Sequence, residues 1–169
     1  DSVRINLGLF QRDINVIWDL APHDLSIAEH VLGREARSIS AWGCSHTERE
    51  HEDIAYVNVD YDDRLMANFH VNWLSPVKVR TTLIGGKDKM LVWNDLEADE
   101  KIKVYDKGVD LADNSKGGVY DLLVSYRSGD VWSPRCEQAE ALKVELDYFV
   151  NCILNDKTPV NDGVAGLQV

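Results

Sequence analysis

The sequence predicts an α+β domain in which a large, mostly antiparallel, open-faced sheet has helices packed on one face. Short runs rich in β-branched and aromatic residues follow one another across polar turns, which is typical of antiparallel neighbours. Two longer segments repeat apolar residues every three or four positions, which is typical of amphipathic helices. A chain of 169 residues can bury about 70% of its unfolded surface. We therefore expect residues 1–169 to form one domain.

The first predicted helix is bounded by residues with recognised roles at helix ends. Asp19 is a candidate N-cap acceptor, and Pro22 is tolerated in a first turn because the N–H that it lacks would have no intrahelical partner there. Gly33 supplies the C-terminal stop. The helical spacing of Ile27 and Val31 predicts a stripe that packs beneath the sheet, with either Leu20 or Asp24 as its first member.

Seven strands follow from composition and spacing. They are predicted at residues 37–43, 54–61, 65–74, 77–85, 90–93, 101–105 and 122–126. In the third of these, apolar side chains alternate with Asn68, His70 and Asn72, so one face belongs to the core and the other is more polar. The polar face is compatible with solvent, a substrate wall or a subunit contact.

A second helix is predicted at about residues 139–154. Its apolar stripe consists of Leu142, Leu146, Phe149 and Ile153, and charged residues lie opposite. We expect this helix to cover the sheet beside the first one. Residues 107–118, which contain three glycines, are predicted to form a connecting loop.

Asp19 and His23 are the candidate acid–base residues of the sequence. Residues four apart share one face of a helix, and a neutral imidazole accepts a proton from an alcohol near neutral pH while a nearby carboxylate orients the ring. Spacing alone is also compatible with an aspartate that merely caps the helix and an ordinary histidine whose hydrogen bonds are satisfied. It does not decide between these two interpretations.

Several segments together resemble the C-terminal domain of the glucose-fructose oxidoreductase/inositol dehydrogenase (Gfo/Idh/MocA) family. An Asp-x-x-x-His motif opens the first helix of that domain, and here it falls on Asp19 and His23. Further likenesses lie in 74–80 with 84–86, in 105–108 and in 159–167. The resemblance implies that His23 is the general base that deprotonates the hydroxyl being oxidised, assisted by a lysine from a Glu-Lys-Pro segment, and that Asp19 helps to bind and orient the substrate.

The resemblance also implies a substrate-binding and oligomerisation domain for a sugar, polyol or nucleotide-linked sugar. Trp18, Asn15 and Asp24 are the further candidate substrate-binding residues. Many family members have an aspartate three residues after the histidine, where this chain has Ser26. The open sheet face is expected to join subunits of a homo-oligomer. A nucleotide-linked substrate would require basic residues for its diphosphate, for which Arg4, Arg12 and Arg135 are available.

The sequence contains neither a Gly-x-Gly-x-x-Gly turn after a strand nor a Glu-Lys-Pro segment. We therefore expect NAD or NADP to be held mainly by a domain outside this sequence. The sequence itself is expected to be a fragment truncated at both ends. Such a fragment is expected to be inactive alone. The alternative is a non-catalytic ligand-binding or oligomerisation module that has kept the same fold.

The composition of the chain limits the classes of molecule that it is expected to bind. A net charge of −11 disfavours nucleic acid and anionic membranes, and no apolar run approaches the length of a membrane span of about 18 residues. The three cysteines favour reduced thiols and a cytoplasmic location. Residues 44–53 gather ligand-type side chains but lack a metal-binding spacing, so we expect a solvated acidic loop and no metal site.

Overall fold

A computed structural model describes residues 1–8, 11–47, 50–61, 64–112 and 123–169. Within these residues, eight strands form one sheet in the order β2-β3-β4-β1-β5-β6-β7-β8, accompanied by three helices. The elements in chain order are β1 (Ser2–Leu7), α1 (Val16–Leu32), β2 (Ala36–Cys44), β3 (Ile54–Tyr61), β4 (Met66–Asn72), β5 (Leu74–Gly85), β6 (Met90–Asn94), β7 (Ile102–Ala112), β8 (Leu123–Trp132), α2 (Ala141–Leu154) and α3 (Gly163–Gln168). The predicted fold class, with its mostly antiparallel sheet, is confirmed.

Strand β1 is the element that the sequence analysis missed. It pairs parallel with β4 and antiparallel with β5, so it lies in the middle of the sheet. The remaining neighbours are antiparallel. β1 therefore joins the strands beneath α1 to the long β5–β8 meander.

The core lies between α1 and strands β3 and β4. Val57 and Val59 on β3, together with Phe69 and Val71 on β4, are buried and pack with partly buried side chains of the helix. The alternation predicted for the third strand is confirmed, since Ala67, Phe69, Val71 and Trp73 are all buried. Of the apolar residues expected on the helix stripe, Val31 is 52% exposed, so its predicted burial is wrong.

The opposite face of these strands carries an aromatic ladder. Tyr56 stacks on His70 with 4.4 Å between ring centroids, and Trp42 stacks on Tyr56 at 6.2 Å. Burial lowers the pKa of His70, and its Nε2 is buried without a partner among the described residues. No described helix packs over this ladder, which leaves Trp42 66% exposed.

Two further expectations are corrected. Helix α2 does not cover the sheet beside α1: its stripe of Leu142, Leu146, Phe149 and Ile153 is 51–67% exposed. Residues 107–112, expected in a loop, instead extend β7, which pairs with β8 in this stretch. The rest of that predicted loop, 113–118, lies outside the described residues. None of the described helices has the length and apolarity required to cross a membrane.

Candidate functional site

The N-terminus of α1 is fixed by Asn15, which is the N-cap in place of the predicted Asp19. The side-chain oxygen Oδ1 of Asn15 accepts hydrogen bonds from the backbone N–H groups of Ile17 and Trp18 at 3.1 and 3.2 Å. Its amide nitrogen donates to Glu52 at 3.1 Å. These contacts satisfy helix N–H groups that have no intrahelical acceptor. Asn15, expected to bind substrate, thus has a structural role that occupies both ends of its amide.

The earlier helix start places Asp19 inside the helix, where its carboxylate has a partner from the sheet. The indole Nε1 of Trp73 donates a hydrogen bond to Asp19 Oδ2 at 2.8 Å. Trp73 is 2% exposed, whereas Asp19 is half-buried. Asp19 therefore lies at the boundary between the core and solvent.

His23 lies one turn further along α1 and is exposed. No hydrogen bond joins its ring to Asp19 or to any other side chain in the part of the chain that the structure describes. Asp19 was expected to orient the His23 ring, but the structure shows no hydrogen bond between the two side chains. An exposed imidazole remains able to exchange a proton with a molecule that approaches from solvent.

Pro22 lies in the second turn of α1, not in the predicted first turn. Proline has no N–H, so the Trp18 carbonyl lacks its usual partner four residues on. The helix nevertheless continues to Leu32 and ends at Gly33, which adopts a left-handed conformation with φ 57° as predicted. The turn that carries Asp19 and His23 consequently contains a backbone carbonyl free of its helical bond. Beside it, Trp18 is 73% exposed.

Asp24 points away from this exposed turn and into the fold. It is 5% exposed, and its two oxygens accept hydrogen bonds from Nε and Nη2 of Arg4 on β1 at 2.8 and 2.9 Å. The bidentate ion pair links α1 to the centre of the sheet. Because both oxygens are occupied, we leave Asp24 out of the proposed substrate site, and Arg4 is not available for a diphosphate.

The loop between β2 and β3 borders the N-terminus of α1. Asp53 is 1% exposed and accepts hydrogen bonds from the backbone N–H groups of His46 and Thr47 and from the Thr47 hydroxyl, while His46 Nδ1 lies 3.0 Å from its other oxygen. Burial acts to raise the pKa of Asp53, but these hydrogen bonds outweigh it and hold the pKa below its ordinary value. The expected solvated loop is instead organised around a buried carboxylate.

This loop is also attached directly to the helix. The carbonyl of Glu52 accepts a hydrogen bond from the backbone N–H of Val16 at 3.0 Å, and the Glu52 side chain accepts one from Asn15. No group of three or more metal-ligand side chains occurs among the described residues. The loop therefore supports the start of α1.

The arrangement is an exposed imidazole one turn after a half-buried carboxylate, with an exposed indole beside them. It could exchange a proton and accept hydrogen bonds from hydroxyl groups. Sequence reasoning identified Asp19, His23 and Trp18 but missed Trp73. Its alternation placed Trp73 in the core, and the need of a buried indole N–H for an acceptor was the available signal.

Comparison with known proteins finds a family model that matches part of this chain. Residues 11–91 match the model of the GFO/IDH/MocA C-terminal domain. That range contains Asp19, His23, the Asp53 loop and Trp73. No curated protein sequence matches the chain.

Several solved structures share the fold. A UDP-N-acetylglucosamine 3-dehydrogenase, GnnA, from Acidithiobacillus ferrooxidans matches with a TM-score of 0.73 at 23% identity, over 99% of this chain and 49% of that one. An aldose-aldose oxidoreductase from Caulobacter crescentus, solved with glycerol, matches at 0.68 and 14%, over 99% and 49%. The WlbA dehydrogenase from Bordetella pertussis, solved with NADH and UDP-GlcNAcA, matches at 0.64 and 15%, over 99% and 47%. The chain thus spans about half the length of these proteins.

Proposed function

Since residues 11–91 of this chain match the model of the Gfo/Idh/MocA C-terminal domain, we propose that the chain is the substrate-binding domain of an NAD(P)-dependent sugar or polyol dehydrogenase. The observation that supports the proposal is the exposed turn of α1, which carries His23 and Asp19 at the spacing of the Asp-x-x-x-His motif that the sequence resembles. Both side chains reach the surface of a helix whose other face is buried. A ligand can therefore approach them from solvent.

In the proposed reaction, a carbinol carbon of the substrate loses a hydride and its hydroxyl loses a proton. His23 accepts that proton, since it is the exposed imidazole of the turn. Asp19 accepts a hydrogen bond from a second hydroxyl, and Trp18 offers an exposed aromatic face against which the apolar side of a sugar ring can pack.

The nicotinamide cofactor would supply the hydride acceptor when bound. Its phosphates require a glycine-rich turn between a strand and a helix, which this sequence does not contain. We therefore assign NAD or NADP to another part of the complete protein, and the residues of this chain to the substrate side of the reaction.

A nucleotide-linked sugar is supported as one substrate class by two of the structural matches, of which one is named for a UDP-sugar and the other was solved in complex with one. Of the three basic residues available for a diphosphate, Arg4 is already paired with Asp24. Arg12 and Arg135 remain candidates. We also propose that the open sheet face, with its exposed Trp42, joins subunits of a homo-oligomer.

The proposal is tested by hydride transfer in the complete protein that contains this chain. NAD⁺ or NADP⁺ is supplied with glucose, myo-inositol or UDP-N-acetylglucosamine, and absorbance of the reduced nicotinamide is followed. We expect reduction with at least one of these substrates. Absence of reduction with all of them, in a folded protein that binds the dinucleotide, would contradict the assignment.

A further inference from the structure

Trp73 connects the core of the domain to the proposed site. It lies between β4 and β5, is 2% exposed, and directs its indole N–H at Asp19 Oδ2 over 2.8 Å. A buried indole N–H requires an acceptor. Here the acceptor is a carboxylate of the exposed turn on α1, so a core side chain and a candidate substrate ligand form one unit.

The position of Trp73 is fixed on several sides. Its backbone N–H donates to the carbonyl of Asp53 at 3.0 Å, and its own carbonyl accepts from the N–H of Gly8 at 3.0 Å. A Cβ atom at Gly8 would lie 2.6 Å from the indole Cδ1, so the strand end passes directly against the ring. The two backbone hydrogen bonds and the close approach of Gly8 hold Trp73 in place, so the fold sets the direction of its N–H.

This fixed donor restricts Asp19. An aspartate inside a helix can otherwise change rotamer and bond to nearby backbone groups. The bond from Trp73 holds Oδ2, while Oδ1 has no hydrogen bond within the part of the chain that the structure describes. One oxygen is thus anchored and the other remains available to a ligand.

We infer that Trp73 is a positioning residue for substrate: it holds the Asp19 carboxylate so that the second oxygen accepts a hydrogen bond from a hydroxyl of the sugar or polyol. Trp73 itself does not touch the substrate. The inference rests on the proposed function, because it assigns Asp19 to substrate binding. The inference adds that Trp73, a residue of the core, influences the affinity of the site for substrate hydroxyl groups.

The test is Trp73→Phe in the complete protein, which keeps an aromatic ring and removes the N–H. The substrate is whichever of glucose, myo-inositol and UDP-N-acetylglucosamine the parent protein turns over. We expect the KM for that substrate to rise about tenfold, because a hydrogen bond to the Asp19 carboxylate is lost. We expect kcat to change less, because the variant affects substrate binding and leaves His23 in place. Trp132→Phe is the matched control, since it removes an indole N–H from β8 at the edge of the sheet. It should leave KM unchanged.

The route through Asp19 is tested by a double-mutant cycle. If Trp73 acts by holding Asp19, Trp73→Phe should raise KM in the parent protein and have no further effect in an Asp19→Ala background. An unchanged KM for folded Trp73→Phe, or an equal rise in both backgrounds, would overturn the inference.

A second variant covers the case in which Trp73→Phe does not fold. Gly8→Ala crowds the indole from the neighbouring strand end and should raise KM in the same direction. An unchanged KM in that variant would also overturn the inference. Failure of the proposed function is distinguishable, because it would appear as absent hydride transfer in the parent protein or as full turnover after loss of His23.

Discussion

At the residue scale, the buried Asp53 carboxylate illustrates how one side chain holds a loop. Its pKa is held below the ordinary value by hydrogen bonds that outweigh burial. A carboxylate with a lowered folded-state pKa stabilises the fold above its unfolded pKa of about 3.9. That stabilisation is lost as the pH falls through the folded-state pKa.

Replacing Asp53 with asparagine should therefore destabilise the protein in a pH-dependent way. At pH 7 we expect the free energy of unfolding to fall by about 2 kcal/mol, because several hydrogen bonds to a buried charge are weakened or lost. The difference from the parent should shrink as the pH falls below about 4 and through the lower folded-state pKa, where the parent carboxylate becomes protonated. Urea unfolding at several pH values measures both effects. Asp60→Asn, an exposed change on β3, is the control, and equal stability of Asp53→Asn and parent at pH 7 would contradict the account.

The candidate site shows what sequence can and cannot predict at this scale. The spacing of Asp19 and His23 was visible, and both reach the exposed turn. Their partners were not visible, because the Trp73–Asp19 bond joins positions 54 residues apart. Spacing also could not show that Asn15, rather than Asp19, is the N-cap, since both residue types accept hydrogen bonds at helix starts.

At the scale of elements, α1 is fixed to the sheet by the buried pair of Arg4 and Asp24. The two side chains are 13% and 5% exposed. Removal of one partner from such a pair leaves the other charge buried, whereas replacement of both by apolar groups is often nearly neutral. The pair thus predicts strongly non-additive mutations.

Asp24→Leu alone should lower the free energy of unfolding by about 3–5 kcal/mol, and Arg4→Met alone should have a similar effect. The double variant should be closer to the parent than either single variant. Urea unfolding of the parent, the two single variants and the double variant gives the four free energies of this double-mutant cycle. Additive losses would show that the pair is not coupled as the structure indicates.

The error in placing α2 has a physical cause at the same scale. The stripe of Leu142, Leu146, Phe149 and Ile153 correctly predicted an amphipathic helix. Periodicity identifies which face of a helix is apolar, but it does not identify what covers that face. β1 was missed although Val3, Ile5 and Leu7 alternate with polar residues, because the strand has only six residues and its pairing partners β4 and β5 are distant in sequence.

At the scale of the whole molecule, the sheet has two different faces. α1 covers β3 and β4 on one side, and the aromatic ladder that begins at Trp42 lies on the other. Alternation within β4 predicted this division, and the succession of strand-like runs with two amphipathic segments predicted the fold class. The proposed subunit contact through the open face depends on the exposed ladder.

Trp42→Glu should therefore weaken self-association of the complete protein, because it introduces a charge on the open face. Light scattering coupled to size-exclusion chromatography should show a smaller assembly than the parent forms. Val31→Glu places the same charge on an exposed apolar position of α1, on the helix-covered side, and should leave the assembly unchanged. An unchanged mass for Trp42→Glu would argue against a contact through this face.

The most direct measurement of the central claim is the turnover of His23→Ala in the complete protein. Removal of a general base should lower kcat by about 10²- to 10⁴-fold, with the far-ultraviolet circular dichroism of the parent retained. His30→Ala, an exposed histidine in the last turn of the same helix, should keep the parent turnover. Parental kcat in folded His23→Ala would contradict the assignment of this imidazole as the base.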